Sequence, residues 1–406
     1  MSVQSSSPLY ISKGSPSFNA ILIALFLAGF TSFSVLYCVQ PMMPIFAHDF
    51  AISPTQSSFP LSFSTLALAV ALLMTGMISD RYGRKSIMVW SLMACALLTF
   101  ISSWVTHWQL YLTLRVLIGV AVSGVAAVAM TYIGEEISKE DLAFAMGLYI
   151  SGTAIGGMSG RLMAGVMVDF MTWRQATMLI GVINLLAAYS FYRLLPASQH
   201  FSPYPIRLSR ILDAFRHNLR DRQLNLLFAQ AFILMGCFVT LFNYMSYHLL
   251  EAPFHLSQMW IGLISVVYLA GIYSSPRAAT WSRRYGRQRV LLGSLMGMIF
   301  AVLLMQSDRL EVLFIGLLIF SFSFFSGHST ASSWVSVQAM QYRAVASSLY
   351  LFCYYLGSSI LGSASGLMWE YAGWTGIAIE LIVILSLGIA LMRGLRQEYT
   401  PPDRSP

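Results

Sequence analysis

Ionisable side chains inside long apolar runs are costly, and this chain has few of them. Arg115, Arg161, His328 and Glu380 are set away from the ends of such runs. An arginine there can neutralise a carboxylate or change a neighbour's pKa. Arg115 is about two helical turns inside the end of its run. It either takes that role or snorkels to the interface. Arg161 sits deeper, where it either meets a ligand or packs on backbone carbonyls. A histidine titrates near neutrality and can carry a proton, so His328 is a candidate relay; a neutral ring bonded to Ser329 or to another helix is the alternative. Glu380 is the one acid well within a run and a candidate protonation site. Polar and aromatic residues suited to a solute cavity are Tyr37, Gln40, Asn243, Tyr244, Tyr247 and His328, with Arg115 and Arg161. Such a set suits amphipathic or weakly charged compounds. Tyr37 and Tyr247 fit an interfacial aromatic belt equally well.

A second group of chemistry-bearing residues is packed into one loop, Gly76-Met77-Ile78-Ser79-Asp80-Arg81-Tyr82-Gly83-Arg84-Lys85. One acid among several cations, with glycines that allow tight turns and close helix approach, makes a contact that can be made and broken. The plainer reading is that Arg81, Arg84 and Lys85 only orient helices. Arg284-Tyr285-Gly286-Arg287 repeats the loop's core 203 residues later. Gly152, Gly156 and Gly160 recur every four residues, with Gly157 beside them and Gly119 in the preceding run. They form a smooth ridge for helix packing, static or sliding. No Gly-rich phosphate loop ending in Gly-Lys-Ser/Thr, no His-Glu-x-x-His and no Gly-x-Ser-x-Gly occurs, so no enzyme, cofactor or metal is expected. Cys38, Cys95, Cys237 and Cys353 lie in apolar segments at no ligand spacing, and no disulfide is expected.

The elements that must position these residues are membrane spans. Of 406 residues, 57% are apolar and only 10% charged, too few charges to coat a water-facing surface. Apolar runs of spanning length fall at 18–40, 57–79, 86–105, 109–132, 143–168 and 174–195, and again at 223–250, 256–277, 288–306, 310–336, 342–369 and 374–393. The expected organisation is a tail over 1–17, a six-helix bundle over 18–195, a central linker over 196–222, a second bundle over 223–394 and a tail over 395–406. With both termini cytoplasmic, 20 of the 24 Lys and Arg lie inside and only Arg174 and Arg309 outside. The same bias accounts for the net charge of +8 without nucleic acid. Leu148-Tyr149, Gly156, Gly165, Asp169 and Trp173 recur at an offset of 201 as Leu349-Tyr350, Gly357, Gly366, Glu370 and Trp374. Two matches at nearly one offset indicate a duplicated six-helix unit.

The ten-residue loop resembles the loop 2–3 signature of the major facilitator superfamily. Arg115 with Gly119 resembles the fourth-helix signature of its proton-coupled members, and Gly152-x-x-x-Gly156-Gly157-x-x-Gly160-Arg161 is similar to the fifth-helix antiporter signature. That signature usually carries Pro at the place of Gly157 and Gly at the place of Arg161, and in the second half Arg283 replaces the loop's Asp. Gly147-Leu148-Tyr149-Ile150-Ser151-Gly152, Leu241-Phe242-Asn243-Tyr244 and His328-Ser329 are similar to bacterial inner-membrane transporters of the drug and efflux branch. The resemblance implies an all-α fold of twelve transmembrane helices in two pseudo-symmetric bundles. It implies a monomer in the bacterial inner membrane that moves a small-molecule substrate by alternating access, coupled to protons, in the efflux direction. Import, uniport and lipid flipping are the alternatives. Asp80, Arg115, His328 and Glu380 would couple protons. Gly76, Asp80, Arg81, Gly83, Arg84, Lys85, Arg284, Gly286 and Arg287 would switch the halves.

Overall fold

The computed structural model describes residues 10–15, 17–201 and 208–395, apart from the side chains of Gly76, Met77, Asp80, Ala143 and residues 208–211. The expected switch residues Gly76 and Asp80, parts of both tails and of the linker, and Arg207, Arg210, Arg396 and Arg404 therefore lie outside the described residues. The elements are α1 (Phe18–Tyr37), α2 (Met43–Asp49), α3 (Pro54–Ser57), α4 (Phe59–Tyr82), α5 (Arg84–Ser102), α6 (Trp108–Ala126), α7 (Ala129–Glu136), α8 (Leu142–Phe170) and α9 (Trp173–Leu194). They continue as α10 (Leu208–Arg220), α11 (Arg222–Leu250), α12 (Gln258–Leu263), α13 (Tyr268–Tyr285), α14 (Arg287–Leu304), α15 (Leu310–Gln338) and α16 (Arg343–Met392).

Among the described residues these helices make twelve spans. The fifty-residue α16 counts as two, because Ala372 and Gly373 leave helical torsions and turn a corner between them. Two other spans are compound. The fourth is α6 with α7, broken at 127–128, and the eighth is α12 with α13, joined by a 3-10 turn at Ile264–Val267. The linker holds the helix α10. Large apolar side chains point outward along the spans, among them Trp90, Phe144, Phe170, Leu186 and Val383. A bilayer is the solvent that tolerates such a surface.

By packing, the chain forms two compact units. The first comprises Met1–Arg207, Val239–Val266 and Ser358–Trp374, and the second Leu208–Phe238, Val267–Gly357 and Thr375–Pro406. In the first, α1 runs along α8, α4 along α6, and α5 along α9. The α1–α8 contact is a zipper of backbone on backbone. A Cβ on Gly152, Gly156 or Gly160 would collide with the carbonyl oxygens of Phe26, Phe30 and Ser34, so both helices step by four residues in one register. In the second unit, α13 and α14 each pack along α15.

The duplicated loops share a backbone as well as a motif. Gly83 joins α4 to α5 at φ 90°, ψ 146°, and Gly286 joins α13 to α14 at φ 86°, ψ 143°. Positive φ with extended ψ is a glycine region, and it lets one helix end and the next begin within a single residue. All four cysteines are free thiols; Cys38, Cys95 and Cys237 are buried and Cys353 is half-buried.

Candidate functional site

The first unit gathers five of the expected cavity residues into one polar chain. Helix α1 stops at Tyr37, and Gln40 sits in the turn that follows, almost fully buried. Arg161, from the glycine-ridged α8, donates through Nε to the Gln40 side-chain oxygen. Its Nη1 donates to the Gly157 carbonyl at 2.8 Å, and the guanidinium lies 4.1 Å from the centre of the Tyr37 ring. Phe242 approaches the same guanidinium at 5.6 Å. Gln40 then donates to Asn243 Oδ1 at 2.6 Å. Asn243 Nδ2 and the Tyr244 hydroxyl both donate to the Gly362 carbonyl, at 3.0 and 3.2 Å. A buried cation is thus stabilised by amide dipoles, a carbonyl and aromatic faces. Gly157 packs closely on this pair: a Cβ there would lie 3.5 Å from both Arg161 Nη1 and the Tyr37 ring.

Arg115 occupies a separate place. It is 1% exposed, so it does not snorkel. Its Nε donates to the Pro60 carbonyl at 3.1 Å, Nη1 to Val35 at 3.0 Å and Nη2 to Leu36 at 2.7 Å. Val35 and Leu36 lie in the last turn of α1, whose carbonyls have no partner within the helix. Arg115 is therefore a side-chain cap on the negative end of that helix. Gly119, one turn on, lies against the Ser64 backbone, and Ser64 Oγ donates to the Arg115 carbonyl at 2.8 Å.

Tyr247 is buried. Its hydroxyl is 2.6 Å from Ser57 Oγ, and its ring packs on Trp369 at 5.6 Å. Around it, two carboxylates cap helix starts. Asp169, at the end of α8, accepts from the backbone N–H groups of Gln258 and Met259 at 3.1 and 3.0 Å. Glu370 accepts from the Thr55 N–H at 3.2 Å and the Thr55 hydroxyl at 2.7 Å. Both capped helices begin on a serine of nearly one conformation, Ser257 (φ −73°, ψ 162°) and Ser53 (φ −71°, ψ 160°). Each acid thus sits at the positive end of a helix, as the macrodipole favours. The repeat alignment had marked this acid pair; only folding shows what it holds. Ser58 and Ser62 reach Ser363 at 2.9 and 2.6 Å, and Thr65 reaches Ser359 at 2.7 Å, extending the seam along α4.

In the loop carrying Gly83, Arg84 forms a two-pronged ion pair with Glu135, at 3.1 and 2.8 Å, and donates to Ser79 Oγ at 2.6 Å. Sequence reasoning missed Glu135, which lies 51 residues away with no motif to flag it. Arg81 lies 5.4 Å from the Tyr82 ring and Lys85 5.3 Å from the Tyr192 ring. Nearby, the buried Glu136 accepts from Ser198 Oγ at 2.6 Å and from the N–H groups of Gln199 and His200 at 2.8 and 3.0 Å.

His328, Glu380, Arg284, Gly286 and Arg287 belong to the second unit. His328 Nδ1 is 3.0 Å from the Tyr350 hydroxyl, and its ring packs on Tyr354 at 4.5 Å. Tyr350 is the repeat mate of Tyr149. Glu380 is half-buried in the last span. Arg284 lies 5.2 Å from the Tyr285 ring.

Comparison with known proteins follows the same lines. The profile of the Major Facilitator Superfamily matches residues 25–362. The chain is 48% identical over 390 residues to the inner membrane transport protein YnfM of Escherichia coli (strain K12), covering 95% of this chain and 94% of that protein. It is 40% identical over 395 residues to the MFS-type transporter YybF of Bacillus subtilis (strain 168), covering 97% and 98%. Among solved structures, a bacterial homologue of the human lysosomal transporter Spinster, inward-facing and occupied, matches with a TM-score of 0.74. That match has 15% identity and covers 94% of this chain and 97% of the other, so it bears on fold alone.

Proposed function

Since the chain belongs to the Major Facilitator Superfamily, we propose that it is a secondary active transporter in the bacterial inner membrane, exporting a small amphipathic drug or metabolite in exchange for protons. The observation that carries this reading is the buried chain Arg161–Gln40–Asn243. A guanidinium inside a span, held by neutral amides and flanked by Tyr37 and Phe242, offers a solute both charge and aromatic surface. The basic loops set the orientation, with both termini cytoplasmic. The inner membrane is the location printed in the name of the relative YnfM. A monomer suffices, because the polar chain is complete within one polypeptide.

In this scheme the carboxylate caps at Asp169 and Glu370 form the outer gate, and the loop with Asp80, Arg81, Arg84 and Lys85 forms the inner one. Arg284 and Arg287 serve the second repeat. Breaking caps of this strength is within reach of solute binding, because a few kcal/mol redistributes two conformations. His328 with Tyr350, Glu380 and Asp80 are the proposed proton-coupling groups. Arg115 acts on the end of α1, where it fixes the break that places Gln40.

The test is transport of a compound panel in sealed vesicles of known orientation, with a pH-sensitive dye. Solute flux that drives proton movement in the opposite direction supports exchange. Flux in the same direction as protons makes the protein an importer, and flux indifferent to pH makes it a uniporter. Arg161→Ala should abolish flux while leaving the folded chain intact; full flux in that variant would remove the proposed site.

A further inference from the structure

The second unit carries a lateral groove that the transport scheme does not use. Helices α13 and α14 both lie along α15 but leave a gap between themselves, open over a floor of α15 residues. The recess measures about 490 Å³ and is walled by Trp281 and Tyr285, by Arg289 and Gly293, and floored by Phe322 and Ser326. Gly293 leaves it open: a Cβ at that position would meet nothing within 4 Å. Gly293 lies seven residues past the Gly286 turn, about 10 Å along the helix, so the groove starts at the loop end of the span.

Its chemistry is ordered by depth. At the mouth is Arg289, exposed and without a hydrogen bond or ion pair among the described residues. Trp281 packs on Phe322 at 5.6 Å, giving an apolar wall below. The floor hydroxyls of Ser323 and Ser326, residues only 6% and 4% exposed, bond nothing among the described residues. On the other side of α14, a smaller recess joins Arg289 to Arg393.

The charge is one-sided by comparison with the first repeat. Between Glu251 and Asp308 the sequence has no acid, while α13 and α14 carry Arg277, Arg283, Arg284, Arg287 and Arg289. In the first repeat Arg84 pairs with Glu135. At the repeat offset of 203, Gln338 stands for Glu135 and Arg283 for Asp80, so both acids have been lost.

We propose that this groove is a binding site for an anionic phospholipid, with the phosphate on Arg289, the glycerol and ester oxygens over Ser323 and Ser326, and an acyl chain along Gly293 and Phe322. Charge complementarity selects the headgroup: Arg289, whose repeat mate is the neutral Ser86, adds a cation to a stretch that has no acid between Glu251 and Asp308. The aromatic wall and interfacial depth suit an acyl chain entering from the bilayer.

The test is native mass spectrometry of the full-length chain in detergent, titrated with phosphatidylglycerol or phosphatidylethanolamine. Phosphatidylglycerol should be retained preferentially. Arg289→Gln should weaken its binding by about fivefold, the contribution of one cation near an anionic headgroup. Gly293→Leu, which replaces a poor helix former at an open position, should fold and block the acyl channel. A phosphatidylglycerol with a photoreactive acyl chain should label peptides containing residues 281–294 and 322–326 in the unsubstituted chain. Equal retention of the two lipids, undiminished binding in Gly293→Leu, labelling only elsewhere, or displacement by glycerol phosphate would each overturn the proposal.

Discussion

Arg115 shows how a buried charge can be held by backbone. Each of its three nitrogens donates to a carbonyl, two of them at the end of α1. Arg115→Ala should therefore cost stability as well as transport. The Pro60 carbonyl keeps Ser64 Oγ and the Val35 carbonyl keeps Cys38 Sγ, so the main loss is at Leu36, where a buried carbonyl left without a donor costs roughly 1–3 kcal/mol, less whatever water recovers. A clear fall in the midpoint of thermal unfolding in detergent is expected. Arg115→Lys should recover only part of it, because an ammonium cannot reproduce the planar fork. A variant that unfolds like the parent would show that these contacts carry no weight. From the sequence, Arg115 stood out as an ion in an apolar run, but its partners did not. They are backbone atoms of residues 55 to 80 positions away, and carbonyls have no sequence signature.

At the scale of elements, the twin turns at Gly83 and Gly286 offer a controlled comparison. Their torsions agree within 4°. Replacing either by Ala should cost about 1–3 kcal/mol, since an L side chain is strained at positive φ with extended ψ. Neither position has an atom within 4 Å of a new Cβ, so the penalty is pure backbone strain. Near-equal shifts in unfolding midpoint are expected; a large difference would mean that the two turns do not share one role. Spans were legible because apolar runs of about 20 residues have few alternatives. The breaks were not. The fourth span parts at 127–128 without a proline, and the eighth passes through a 3-10 turn at Ile264–Val267. Such breaks are set by what packs alongside, which no local pattern records. The ridge at Gly152, Gly156 and Gly160 was legible as a stripe, but its partner α1 was not.

For the molecule as a whole, the informative feature is that the two repeats reuse one device with exchanged partners. Asp169 caps the start of α12, and its mate Glu370 caps the start of α3. If these caps hold the proposed outer gate, Asp169→Asn and Glu370→Gln should each loosen it, and the double variant should loosen it further. The measurement is the rate at which a water-soluble maleimide labels a cysteine placed at Ser53 or Ser257. Each single variant should raise that rate several-fold, as expected when a surface helix cap of about 0.3–1 kcal/mol is weakened. Unchanged rates in the double variant would remove the gate from the scheme. The alignment of halves made this acid pair visible as a coincidence of spacing, while its meaning required two helix starts brought together from distant sequence. The native thiols decide how readable that experiment is. Three of the four are buried and the fourth is half-covered, so the unsubstituted chain is nearly dark to an aqueous thiol reagent. Only Cys353 calls for replacement before a single reporter can be heard above background.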